Sequence, residues 1–232
     1  MQTTTQTLRF DVVGPGGRET GETIELTDFA AVVAGYTGRD VAAVQHHIDE
    51  LAAIGVAPPP EVPMFYPVAS GSVSTSGTFS IIGDETSGEI EPLYVRHKGR
   101  FYLGIASDHT DRRLETVDIG DSKRACPKPT AGTVVRVPDL AALSLDECRA
   151  RSWVDGRLYQ EGTLDGLRTP ADVVGLLLDR TALGDRDFVC LGGTLPLIGG
   201  TFHYGANWRL ELSFPDGTAI DHTYTITKGN ES

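Results

Sequence analysis

Apolar and polar residues alternate along much of the chain with a period of two, the signature of half-buried strands. "TLRFDVVG" is one such segment, and "ETIELTDFAAVVAGY" reads as another strand running into a mixed apolar stretch. From Arg39 to Ile54 the period changes. Val41, Val44, Ile48 and Leu51 recur at spacings of three and four, which predicts a helix, with Gly55 as its stop. The run "APPPEVP" cannot continue that helix, so a linker is expected at about 55–63.

Beyond the linker the strand pattern returns in "MFYPVASGS", "GTFSIIG" and "GTVVRVPDL". Val95, Phe101, Tyr102, Leu103 and Ile105 suggest a buried strand pair joined at Lys98-Gly99. "CRARSWVDGRLYQEG" reads as a hairpin turning at Asp155-Gly156. Thr169-Pro170-Ala171-Asp172 has the form of a helix start: a capping hydroxyl, Pro in the first turn and an acid three residues on. The helix through "VVGLLLD" is short and apolar, suited to packing on a sheet. "DFVCLGGTLPLIGG" is a buried strand ending in glycines, and "WRLELSFPDG" and "HTYTITK" alternate and close a sheet. Trp153 and Trp208 are assigned to the core. The sum is a mainly β, α+β protein with few helices, divided at residues 1–55 and 56–232.

Composition supports that picture. Gly and Pro number 27 and 13, as many turns require. The formal charge of −12 argues against nucleic-acid partners, which need clustered Lys and Arg. No apolar run approaches a membrane span, and the start lacks the layout of a secretion leader. Cys126, Cys148 and Cys190 form no CxxC and are expected to be reduced and partly buried in a cytoplasmic protein.

The chemistry concentrates in "SGEIEPLYVRHKGRFYLGIASDH". Residues two apart on a strand share a face, so Glu89 and Glu91 lie side by side. Carboxylates about 6 Å apart repel by roughly 3 kcal/mol at an effective dielectric near 20. A hard divalent cation, with Asp108 as a third oxygen donor, offsets that repulsion; Mg²⁺ or Mn²⁺ suits such ligands, and Ca²⁺ is a further candidate. The bland alternative is an exposed strand face with two solvated glutamates.

"GEIEPLYV" followed by "ASDHTDRR" resembles the metal motif of the fumarylacetoacetate hydrolase superfamily. "PEVPMFYPVASGSV" is similar to that family's lead-in to the domain, "GDSKRACPKP" to its lysine segment, "WVDGRLYQEGT" to its V-N-G…Q-x-G-x-T, and "LGGTLPLIGG" to its T-G-T-P segment. Upstream, "AGYTGRDVAAVQHHIDELAAIG" resembles its H-x-x-E lid. The likeness runs in order from about residue 31 to 202. There are departures: Asp108 follows Glu91 by only 17 positions, Gly35 precedes Tyr36, Tyr66-Pro67 follow the Phe, Arg113 ends the Asp motif, and Leu195 splits Thr194 from Pro196.

The resemblance implies a mixed β-sandwich roll with a helical N-terminal lid, residues 56–232 forming the catalytic domain, and a homodimer. It implies Glu89, Glu91 and Asp108 as metal ligands. It makes His47 and Glu50 a catalytic dyad, with Lys123 as a further catalytic charge. His46 and Asp49 are neighbours that compete for the dyad roles, and Lys128 competes with Lys123. Tyr36, Arg112, Gln160, Gly193 and Thr194 become substrate contacts, although bracing of Asp108 is the first expectation for Arg112. His109 is expected to be structural. The implied activity is hydrolysis of a C–C bond in a small 2-oxo or 1,3-dicarbonyl acid of acylpyruvate type. The alternatives are decarboxylation, hydration or isomerisation of a 2-oxo acid on the same site, or a non-catalytic metal binder.

Overall fold

The computed structural model describes residues 7–53 and 55–229 of the chain. Among them, in chain order, lie β1 (Leu8–Val13), β2 (Glu19–Leu26), β3 (Phe29–Gly35), α1 (Val41–Ala53), β4 (Met64–Val68), β5 (Val73–Ser74), β6 (Thr78–Ile81) and β7 (Thr86–Ser87). They are followed by β8 (Ile90–His97), β9 (Arg100–Ser107), β10 (Thr110–Asp111), α2 (Arg112–Glu115), α3 (Ile119–Arg124), β11 (Lys128–Pro129) and β12 (Thr133–Val137). The chain closes with β13 (Arg149–Val154), β14 (Arg157–Thr163), α4 (Pro170–Arg180), β15 (Asp187–Leu191), β16 (Asn207–Ser213) and β17 (Ala219–Lys228).

An eight-stranded mixed sheet runs β2-β1-β12-β9-β8-β15-β3-β4, and a five-stranded sheet runs β14-β13-β16-β17-β6. Strands from both sides of the 55–63 segment share the larger sheet: β3 lies parallel to β15 and antiparallel to β4. Two cores result. One lies between the sheets and under α4, with Tyr94, Phe188, Val173, Leu177, Trp208 and Tyr224 among its members. Nearly all of the other comes from the larger sheet itself, including Phe10, Leu26, Val33, Leu93, Tyr102 and Leu191. A sheet that supplies both walls of a core must curl upon itself, and this makes the architecture a roll. Burying each such large side chain is worth about 1.5–3 kcal/mol.

The local signals are realised. Lys98 and Gly99 both have positive φ and turn β8 tightly into β9; Asp155 and Gly156 do the same between β13 and β14. The Thr169 hydroxyl accepts the Asp172 N–H at 3.2 Å, with Pro170 opening α4. One expectation is corrected, and the predicted helix proves to be mostly exposed. Trp153 is not core: it lies partly exposed on the outer face between Arg151 and Arg209, whose guanidinium carbons stand 5.4 and 4.7 Å from its ring centroid. In α1 only Ile48 is buried and Val41 is 67% exposed, so the helical stripe covers little of the core. Ile54, placed in that helix by its sequence pattern, lies outside the described residues.

Candidate active site

The short turn between β8 and β9 brings the three carboxylates together. Glu91 stands opposite Ala106 in the ladder, and the Asp108 N–H donates to the Glu89 carbonyl at 2.9 Å. The shortened 17-residue spacing is thus two eight-residue strands and a tight turn. Asp108 is fully buried, Glu91 is 3% exposed, and the Glu89 side chain is 14% exposed.

Among the described residues, protein cations pair with Asp108 and Glu89 but not with Glu91. Asp108 accepts a hydrogen bond from the Lys123 ammonium on one oxygen and lies 3.3 Å from Lys128 Nζ on the other. Burial works to raise the Asp108 pKa, but the two ammonium groups more than offset it and hold the carboxyl below its usual range. Glu89 pairs with Arg112 at 3.0 Å. Burial still pushes Glu89 up, only partly countered by Arg112. Glu91 is the least compensated: one oxygen accepts the Gly193 N–H at 2.8 Å, and burial followed by the Asp108 charge pushes it well up.

The lysines separate by their partners. Lys128 donates to the carbonyls of His109 and Lys123 at 2.6 Å and of Cys126 at 3.2 Å, with no exposed surface. Three N–H groups satisfied by three carbonyls leave none for a ligand. Lys123 is 7% exposed, and its ammonium lies 5.9 Å from the Tyr66 ring centroid. Its charge also acts on the Tyr36 phenol, which burial pushes up.

Tyr36 lies within electrostatic reach of Lys123 and Tyr66. Its φ of 58° is in the left-handed region, a strained setting for a non-glycine residue. Its hydroxyl is buried without a hydrogen-bond partner. The following Thr37 fixes the backbone nearby: a Cβ on Gly193, which has φ 105°, would fall 1.7 Å from the Thr37 hydroxyl. Glycine is therefore required where the loop after β15 passes under Tyr36-Thr37.

That loop runs along β8. Gly192 N–H donates to the Pro92 carbonyl at 2.9 Å, Gly193 N–H to Glu91, and the Thr194 hydroxyl to the Ile90 carbonyl at 2.9 Å. Gln160 bonds Ile90, Ser152, Thr194 and Leu195. The polar groups of Gly193, Thr194 and Gln160 that were expected to meet substrate are thus engaged within the protein. Arg112 does brace a carboxylate, but it is Glu89 rather than Asp108. It also binds Glu115 at 2.8 Å and the Ser87 hydroxyl at 2.6 Å beneath the Phe202 ring.

The dyad residues sit apart from this cluster. His47 Nδ1 is 3.8 Å from Glu50, His46 Nε2 is 3.3 Å from the same carboxylate, and all three side chains are at least 61% exposed. The His47 ring, at 6.3 Å between centroids, adjoins Tyr36 and so the cluster's edge. His109 is structural: burial, then the Lys128 and Arg112 charges, depress its ring to about 3, and it bonds Tyr224 and Thr86 at 3.1 Å. Sequence reasoning missed Glu115, whose spacing of three from Arg112 was the available signal. It also missed Tyr66 and Thr37, which carry none.

The donor set fits a hard divalent cation in its chemistry: three oxygen donors in a buried setting, one of them, Glu91, with a poorly compensated charge. In arrangement, among the described residues, no three His, Cys, Asp or Glu side chains converge as an ion cage, because lysines and Arg112 hold Asp108 and Glu89. A cleft of about 520 Å³ at the far end of β8 and β9, near His97 and Asp187, contains none of the candidate residues.

The fold is that of fumarylacetoacetate hydrolase-type structures. A protein from Oleispira antarctica provisionally named a fumarylacetoacetate isomerase/hydrolase is 16% identical, with a TM-score of 0.60 over 94% of this chain and 99% of that one. The 5-carboxymethyl-2-hydroxymuconate delta-isomerase of Mycobacterium smegmatis is 13% identical, with a TM-score of 0.55 over 92% and 88%. A 2-keto-3-deoxy-D-arabinonate dehydratase is 15% identical, with a TM-score of 0.58 over 87% and 74%. No curated protein matches the sequence. Residues 34–224 match the family described as protein of unknown function DUF2848, and the chain belongs to that family. No helix among the described residues is long and apolar enough to cross a membrane.

Proposed function

We propose that the protein is a divalent-metal-dependent enzyme that hydrolyses a C–C bond in a small 2-oxo or 1,3-dicarbonyl acid of acylpyruvate type. The observation that carries this is the cluster of Glu89, Glu91, Asp108 and Lys123 together with a buried, unpartnered Tyr36 hydroxyl on which the Lys123 charge acts. A buried hydroxyl left unpaired costs about 1–3 kcal/mol, so a ligand oxygen at that position is favoured. Glu89, Glu91 and Asp108 would hold Mg²⁺ or Mn²⁺, with Ca²⁺ as a weaker candidate, in exchange for the Arg112 and lysine contacts that Glu89 and Asp108 now make. The cation supplies Lewis-acid stabilisation of enolate charge as it develops.

The chain's own groups do the rest. The Lys123 ammonium sets a positive charge against the acid end of the substrate, and the Tyr36 hydroxyl donates to a substrate oxygen. Tyr66 walls the lysine from solvent. His47, oriented by Glu50, takes a proton from water; the resulting hydroxide adds to the distal carbonyl. Cleavage of the C–C bond releases a carboxylic acid and an enolate, and the enolate carbon takes back a proton. The helix α1 acts as the lid that carries this dyad over Tyr36, a role supported by the contact between the His47 and Tyr36 rings. A homodimer and a cytoplasmic setting belong to the same proposal; the three buried free thiols support the latter.

The second reading is isomerisation, hydration or decarboxylation of a 2-oxo acid. It is favoured by the exposure of the dyad, which suits proton transfer without a committed water attack. A panel of acylpyruvates, oxaloacetate and sugar-derived 2-oxo acids, with and without Mg²⁺ or Mn²⁺, decides between them. Release of two acids from an acylpyruvate supports hydrolysis; turnover confined to other oxo acids supports the second reading. No turnover in the presence of tight Mn²⁺ binding would leave a non-catalytic binder.

A further inference from the structure

Gln160 lies on β14 in the smaller sheet, yet its amide reaches the strand start that carries the glutamates. It has no exposed surface. Its oxygen accepts the Ile90 N–H and the Ser152 hydroxyl, each at 2.9 Å. Its nitrogen donates to the Thr194 hydroxyl at 2.8 Å and to the Leu195 carbonyl at 2.7 Å. An amide has two donors and two acceptor positions, and all four are filled by protein.

Those partners are not scattered. Ile90 is the residue between Glu89 and Glu91, so the orientation of its peptide sets where both side chains leave the strand. Thr194 follows Gly193, whose N–H holds Glu91, and the Thr194 hydroxyl returns to the Ile90 carbonyl. Gln160 therefore grips the Glu-Ile-Glu segment at its backbone N–H and, through the loop, at Glu91 itself. Only a primary amide supplies acceptor and donors at one point; glutamate keeps the acceptor side and loses the donors at neutral pH.

We infer that Gln160 is a positioning residue which locks the geometry of the Glu89–Glu91 pair by tying it to the loop 193–195, rather than a group that touches substrate. This rests on the proposed metal role of the two glutamates. The test is local amide hydrogen exchange together with Mn²⁺ affinity by titration, on the wild type, Gln160→Met and Gln160→Glu. In Gln160→Met the Ile90 and Gly193 amides should exchange at least tenfold faster while β16 and β17 amides keep their rates, and Mn²⁺ affinity should fall about tenfold or more. In Gln160→Glu at pH 7 the loop amides should loosen while Ile90 stays protected, with Mn²⁺ affinity between the two. Unchanged exchange at Ile90 and Gly193, or unchanged Mn²⁺ affinity, in a folded Gln160→Met protein overturns the inference. Should that variant not fold, Gln160→Glu decides it: unaltered loop exchange overturns it. Wild-type protein that takes up no Mn²⁺ at millimolar concentration sinks the metal reading alone, since the exchange results still judge Gln160.

Discussion

Two regions set carboxylates beside basic groups, and they differ almost completely in their surroundings. Around Asp108 the charges are buried and each has an assigned partner; on α1 the two histidines share Glu50 in open solvent. An exposed pair of this kind contributes about 0–1 kcal/mol and stays free to move. A buried ion does not have that freedom: removing its partner leaves a charge without water or counter-charge, at about 3–5 kcal/mol. The contrast separates two settings for charge: in the buried cluster the protein replaces the water around each group, whereas the exposed pair keeps its own water.

The largest expected effect follows directly. Lys128→Met should lower stability by about 3–5 kcal/mol in denaturant unfolding, because Asp108 loses a buried counter-charge and three carbonyls lose their donor. Glu50→Gln should change it by less than about 0.5 kcal/mol. Equal effects would erase the distinction. Next, Glu91→Gln should weaken Mn²⁺ binding about a hundredfold, roughly 2.8 kcal/mol. Glu50→Gln should leave Mn²⁺ binding intact and cut turnover about a hundredfold or more, as loss of general-base assistance does.

A third expectation concerns acid. The His109 ring titrates near 3 in the folded protein, against about 6.5 when unfolded. Between those values the unfolded chain binds a proton that the folded protein refuses. The contribution of the neutral ring is therefore fully present above pH 6.5 and is lost as pH falls toward 3. His109→Gln should flatten the fall of stability with acid by up to about 1.4 kcal/mol per pH unit in that window. An unchanged slope would mean that His109 is less enclosed than its bonds to Tyr224 and Thr86 imply. A small effect is expected at the rim: Phe202→Ala, removing a ring 4.0 Å above the Arg112 guanidinium, should cost about 0.5–1 kcal/mol.

What could be read from the sequence was local. The Lys98-Gly99 turn, the Thr169 cap and the grouping of Glu89, Glu91 and Asp108 each depend on residues close in the chain or on a strand's period of two. The roles of Lys128 and Gln160 were not legible, because they rest on partners from separate segments: carbonyls of the 109–126 stretch for one, a strand and a loop of the opposite sheet for the other. Trp153 was misplaced for the same reason. A large aromatic ring suits a core, but the ladder put it on the outer face beside two arginines.

By itself, then, the sequence determined a mainly β chain with a tight hairpin and two glutamates two residues apart, whereas the addition of Asp108 to that pair came from the family resemblance. Tertiary structure alone decided that Lys123, Lys128 and Arg112 balance those acids, that Gly193 and Gln160 set their direction, and that His47 stands in solvent beside Tyr36. The reason is electrostatic: the energy of a charge depends on what replaces its water, and the replacements come from parts of the chain that only folding brings near.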